Sequence, residues 1–163
     1  MLLAVGGYLG FKLQEASQER LSSPYAGAPV EVPHGGTGHL AGADWHLVSV
    51  TRSGGSGAAQ FSYMDMVIAV TPRTSAASGH VSGCAFEATD AAGRIWDPSN
   101  GDQAAGQYSG LPASCETPDF GNIPPGRTQQ VFVSFLVPGD AAATLRPEVR
   151  DSYASPRYLI LDR

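Results

Sequence analysis

An all-β domain of two packed antiparallel sheets is the fold class this sequence predicts, and three observations predict it. The first is the stretch Pro124–Pro138, PPGRTQQVFVSFLVP, in which a Pro-Gly turn signal releases an apolar run that a second proline closes. Val131, Val133, Phe135 and Val137 share one face there and Gln130, Phe132, Ser134 and Leu136 the other, which is the period of two expected of a strand with one fully apolar face. Pro138 has no N–H to give to a ladder, so it ends the strand or sits at an edge. The second is the punctuation: twenty glycines and twelve prolines in 163 residues imply many turns between short elements. The third is that the segments between those turns alternate like strands, with no helical period inside the domain.

The totals bound the class further. A chain of this length with 42% hydrophobic and 15% charged residues builds one globular domain of ordinary core size plus a tail. The formal net charge of −5, with no basic cluster, argues against binding nucleic acid through its phosphates. Lys12 is the single lysine, so a phosphate-binding Gly-Lys-Ser/Thr loop, a Schiff-base lysine in the domain and a Ser-x-x-Lys acylase motif are all missing. Cys84 and Cys115 are the two thiols. They predict a disulfide closing a loop of about thirty residues, a contribution of roughly 3–4 kcal/mol on chain-entropy grounds; two buried free thiols are the alternative.

Taken in order, the chain opens on the apolar MLLAVGGYLGF and then Lys12. Eleven helical residues reach about 17 Å, short of the roughly 30 Å hydrocarbon core, and neither a basic flank nor an Ala-x-Ala site marks a cleaved signal. The preferred expectation is that residues 1–21 form a hydrophobic helix, the outer end of a membrane anchor; a hydrophobic tail packing on the domain or a partner is the other. Residues 22–42 are rich in Ser, Pro, Gly and Ala and read as a flexible linker, with His34 and His39 as solvated linker residues rather than metal ligands.

The domain is expected over residues 43–163. Asp44–Thr51 is its first strand, with Trp45 and Leu47 on one face and Val48 and Val50 on the other. Phe61–Thr71 is the second, with Met64, Met66, Ile68 and Val70 aligned. Pro72–Gly79 is expected as a loop and His80–Thr89 as a strand carrying Cys84 and Phe86. Asp90 and Gly93 hold the first and fourth positions of a type I turn, followed by a short return strand at Arg94–Trp96. Asp97–Asn122 has no pattern, and a loop of that length in a compact domain is usually functional or pinned; Cys115 provides the pin. Its polar residues Asp97, Asn100, Asp102, Tyr108 and Asp119 are the candidate binding loop. Calcium would need oxygen ligands at the first, third and fifth positions and Gly at the sixth, but Gly101 takes the fifth, so an ordinary turn cluster is expected and no metal or cofactor is assigned. Strands at Leu145–Arg150 and Arg157–Asp162 complete an immunoglobulin-like β-sandwich.

With the strands laid out, the stretch from about Ala43 to Asp162 resembles the bacterial, actinobacterial-type extracytoplasmic immunoglobulin-like domains of unknown function found in secreted lipoproteins and single-pass proteins. It is also similar to the secreted immunogenic β-sandwich proteins of mycobacteria. The resemblance rests on Asp44-Trp45, on Met66–Thr71, on Phe86, Asp90 and Gly93, and on Pro125-Gly126 leading to Val131-Phe132 and Val137-Pro138. Pro72-Arg73 stands where the family has an asparagine, and no lipidation cysteine is present at the N-terminus. The resemblance implies fold and an extracytoplasmic location, and it brings no catalytic residues.

One nucleophile is worth weighing. His80 precedes Cys84 by four residues, similar to the Ser-His-Gly-Cys region of cell-wall L,D-transpeptidases but with His and Gly-Cys separated. On a strand, residues four apart lie about 13 Å from each other, too far for a nucleophile–base hydrogen bond. Gly54–Gly57 misses the Gly-x-Ser-x-Gly elbow, and nothing nominates a carboxylate pair for glycoside hydrolysis. The expectation is therefore a non-catalytic, membrane-anchored extracytoplasmic interaction or accessory domain, or a secreted one, that binds an envelope protein or surface polymer and no nucleic acid. Tyr63, Tyr108 and Tyr153 are candidate contacts. The alternative is a cell-wall-acting cysteine enzyme, transpeptidase or hydrolase, using Cys84 and His80.

Overall fold

A computed structural model of the chain describes residues 27–54, 61–99, 110–117, 119 and 121–163. The expected N-terminal helix, 1–21, lies outside these residues. Nine strands are described: β1 Ala28–Val32, β2 Gly38–Leu40, β3 Ala43–Ser53, β4 Phe61–Pro72, β5 Cys84–Thr89, β6 Ile95–Trp96, β7 Gln129–Pro138, β8 Arg146–Asp151 and β9 Arg157–Leu161. They form a sheet of order β1-β9-β8-β5-β6 packed on a second of order β2-β3-β4-β7. All pairings are antiparallel except β1 with β9. This is the predicted immunoglobulin-like β-sandwich.

The second sheet follows the apolar alternation of its sequence. Val131, Val133, Phe135 and Val137 of β7 are buried, as are Met64, Met66, Ile68 and Val70 of β4, and the registers Met64↔Phe135, Met66↔Val133 and Ile68↔Val131 set the two apolar faces side by side. Across the core, Trp45 meets Phe86 edge-on, with ring centroids 6.4 Å apart at 74°, a favoured aromatic geometry. The outer face of β7 is buried in part: Ser134 Oγ donates to Asp65 Oδ1 across the ladder at 2.7 Å.

In three places the structure corrects the sequence reading. The 22–42 linker gives way at residues 28–40 to β1 and β2, which bury Val32 and Leu40; their support comes from β9 and β3 rather than from their own short, proline-flanked sequence. The β2–β3 turn has positive φ at both central residues, Ala41 (52°) and Gly42 (76°), the backbone of a two-residue hairpin turn. A Cβ on Gly42 would also stand 2.9 Å from the Ala77 methyl. His39, expected as a free linker residue, pairs with Asp44 Oδ1 at 2.6 Å.

Second, a helix stands where a loop and the start of a strand were expected: α1, Ser75–Val81. Thr74 Oγ1 accepts the Ala77 N–H at 3.1 Å, capping its N-terminus, while Ala77 and Val81, one turn apart, are buried. His80 is therefore helical, and the strand begins only at Cys84. A one-turn helix, α2 (Gly139–Ala142), likewise follows β7. Third, β3 carries a bulge between Leu47 and Ser49. The extra residue turns Val48 outward at 44% exposure and packs Val50 against the core with Leu47, the reverse of strict alternation.

Candidate functional site

Cys84 and Cys115 are bonded, the predicted cross-link. Cys84 opens β5 directly opposite Asp151, the last residue of β8, so the bond ties the far end of the long loop to that strand end. The Cys84–His80 enzyme needs a thiolate, and the disulfide occupies the sulfur. His80 stacks instead on Tyr153, ring centroids 4.2 Å apart and 16° from parallel.

The predicted binding loop is only partly brought together. Asn100, Asp102 and Tyr108 lie outside the described residues. Asp97 is exposed. Asp119 accepts the Thr117 hydroxyl at 2.5 Å; that bond, before any other influence, holds its carboxyl below the usual range. Among the described residues no group of three or more His, Cys, Asp or Glu could hold a metal. The flanks of the loop close the edge of β7: the Ser99 N–H donates to the Ser134 carbonyl at 2.7 Å, and the Phe132 N–H to the Pro112 carbonyl at 2.9 Å. A mostly apolar crevice of about 230 Å³ lies beneath them, lined by Phe86, Pro98, Ser99, Phe132 and Ser134 among others.

A second cleft, of about 240 Å³, opens at the disulfide end of the other sheet and was not anticipated. It is lined by Gly83, Ala85, Arg150, Asp151, Ser152, Ser155, Pro156 and Arg157. Three elements build it: the entry to β5, the end of β8, and the turn that leads into β9. Asp151 shapes the turn by accepting the Tyr153 N–H on Oδ1 at 2.8 Å, an Asx-type turn. Its Oδ2 is buried with no hydrogen-bond partner. Burial pushes the Asp151 carboxyl up, against the smaller opposing pull of the Tyr153 N–H and of His80.

Charge at this end is nearly balanced. Arg150 lies between Glu87 (2.5 Å) and Glu148 (2.6 Å) and covers the Tyr158 ring at 3.9 Å, a cation–π contact. Burial pushes the Tyr158 hydroxyl pKa up, and Glu148 adds to the rise. Arg157, Ser152 and Ser155 are exposed. The rim bears Tyr153, 66% exposed and adjacent to the cleft wall, since a Cβ on Gly83 would lie 3.9 Å from its ring. Of the tyrosines singled out in the sequence, Tyr108 lies outside the described residues and Tyr63 is half-buried, whereas Tyr153 is exposed. The local signal for the cleft is Asp151-Ser-Tyr-Ala-Ser-Pro156, a turn sequence after an apolar strand; Arg150 and Arg157 flank it, and Gly83 and Ala85 come from a distant part of the chain.

No family model matches the chain, and no curated protein matches it in sequence. Among solved structures the chain is similar to MPT63, a secreted protein from Mycobacterium tuberculosis, with 14% identity, a TM-score of 0.49, and coverage of 82% of this chain and 98% of that one. It is also similar to an uncharacterized β-sandwich protein from Clostridium difficile 630, with 10% identity, a TM-score of 0.45, and coverage of 83% of this chain and 94% of that one.

Proposed function

We propose that this chain is a non-catalytic extracytoplasmic interaction domain, held at the membrane by its apolar N-terminal segment, that binds a component of the cell envelope. The observation that carries the reading is the Cys84–Cys115 bond. Structural disulfides form and persist in oxidising compartments and are rare in the cytosol, and this one uses both thiols of the chain. It also steadies the strand end at which the Gly83–Arg157 cleft opens, and loops and clefts at the ends of sandwiches are where such domains meet partners. Among the described residues no helix is long and apolar enough to cross a membrane; the anchor is assigned to Met1–Phe11 on composition. The resemblance to extracytoplasmic immunoglobulin-like domains agrees with this placement.

Two measurements test it. Alkylation of the native, unreduced chain is expected to label no cysteine and, after reduction, to label Cys84 and Cys115; a rapidly alkylated native Cys84 would overturn the reading and revive the thiol enzyme. Immobilised full chain is expected to retain an envelope protein or polymer from detergent extract of the source cells that an unrelated β-sandwich does not retain. Retention of nothing would contradict it.

A further inference from the structure

We infer that the cleft between Gly83–Ala85 and Arg150–Arg157 is a saccharide subsite that takes one uncharged sugar ring of a surface polymer, with Tyr153 as its stacking face. This rests on the interaction-domain reading and names its ligand class. The size comes first. About 240 Å³ is below the range that encloses a drug-sized ligand and suits a single ring entering from solvent.

Charge then narrows the chemistry. Arg150 and Arg157 supply two formal positive charges, and Glu87, Glu148 and Asp151 supply three negative ones, with Arg150 already engaged by both glutamates. The negative charges outnumber the positive, which leaves no excess positive charge for a phosphate or sulfate. What the cleft does present is a set of short neutral hydrogen-bonding groups, the Ser152 and Ser155 hydroxyls, beside the exposed Arg157 guanidinium. An acceptor, Asp151 Oδ2, is also buried in the lining with no donor. Buried acceptors without partners are uncommon enough to need a reason, and a ligand rich in hydroxyls brings the missing donors.

The aromatic rim points the same way. One face of Tyr153 is held against His80 at 4.2 Å, so the ring has a fixed orientation although it is 66% exposed. A pre-set aromatic face beside a mostly apolar cleft edged by Ser152 and Ser155 matches the C–H face of a pyranose, which is apolar while its edge carries hydroxyls. A peptide adding as a strand has no place here. β8 pairs with β5 from Arg146 to Asp151 and with β9 at Glu148 and Val149, which leaves only Arg150 and Asp151 beside the cleft on the β9 side, too short an edge for strand addition.

Affinity electrophoresis and calorimetry with the full chain test the inference, using mannan, galactan, an α-glucan, a β-glucan and the tetrasaccharide of each. At least one neutral polymer is expected to bind. Tyr153→Ala should weaken that binding about tenfold, the effect of removing a central aromatic anchor, and Tyr153→Phe should stay within about twofold because the stacking face remains. Because Tyr153 is a surface side chain, the melting temperature of Tyr153→Ala should match the parent, which keeps a binding loss separate from misfolding. Absence of binding across the panel, binding indifferent to Tyr153→Ala, or dextran sulfate binding in preference to dextran would overturn the subsite. If the chain still retains an envelope protein that these sugars do not displace, the saccharide inference fails and the interaction domain stands; if nothing is retained, both fail.

Discussion

Asp90 and Asp151 sit at opposite ends of the β5–β8 pair, each just beyond or at the end of a strand, each buried, and each accepting the N–H of the residue two places on. Their surroundings differ in one respect. Asp90 is fully partnered: Oδ1 also takes the Arg94 N–H, and Oδ2 takes Arg94 Nε at 2.6 Å and Trp96 Nε1 at 3.4 Å. Burial alone would raise its pKa, but the hydrogen bonds and charge of Arg94 outweigh burial and hold the carboxyl below its ordinary value. Asp151 has one backbone donor and an empty Oδ2, so burial wins and its carboxyl moves up. The same residue in the same kind of turn is a closed structural joint at one end and an open position beside a cleft at the other. Partnering, rather than residue type or burial, separates fold from site.

The largest expected effect comes from releasing the open end. Replacing Cys84 and Cys115 together by serine should cost about 3–4 kcal/mol in urea unfolding, from the loop entropy restored to the unfolded chain. Next, Asp90→Ala should cost about 2–3 kcal/mol, because it leaves the buried Trp96 N–H and part of the Arg94 guanidinium without an acceptor. Asp151→Asn should change stability at pH 7 by less than about 1 kcal/mol, since it removes a charge that is under-partnered and keeps an oxygen for the Tyr153 N–H. Tyr153→Ala should stay within about 0.5 kcal/mol of the parent. A cost for Asp151→Asn as large as that for Asp90→Ala would erase the distinction between the two ends.

pH sharpens the contrast because the two signs differ. Asp90, with its folded pKa lowered, contributes stability that is complete above the unfolded value of about 3.9 and is lost as pH falls through the folded one. Asp151, with its folded pKa raised, favours the folded state below about 3.9 and gives that up as pH rises through its folded value. Asp90→Asn should therefore flatten the acid limb of the stability curve below about pH 4, and Asp151→Asn should flatten it above. Urea midpoints across pH 2–8 would separate them.

The same division governs what could be read from the sequence. β7 and β4 were legible because their pattern is local and their apolar faces are complete. The Asp90–Gly93 turn was legible too, and the Gly93 N–H does donate to the Asp90 carbonyl at 2.9 Å. α1 escaped because a seven-residue Ala/Ser helix shows no apolar period long enough to count, although Thr74 with Ala77 and Val81 held its signal. β1 escaped because its partner, β9, is remote, β2 because three residues are too few to show a period, and the bulge at Val48 because register belongs to a pair of strands rather than to one. The disulfide was legible from an even pair of cysteines in a chain whose apolar N-terminus points outside the cytoplasm. The cleft draws Gly83, Arg150 and Arg157 from two separate segments of chain, so no window of sequence contains it, and the loop that attracted attention, Asp97–Asn122, instead closes the β7 edge with its flanks.

The central claim is that the Asp151 end binds and the Asp90 end does not. Backbone amide shifts of the isotopically labelled full chain, recorded during titration with the best-binding neutral tetrasaccharide, test it directly. The account predicts shifts concentrated at Gly83–Ala85 and Asp151–Arg157, with Asp90–Trp96 unmoved. Shifts centred on Asp90–Trp96, or none at Asp151–Arg157, would contradict it.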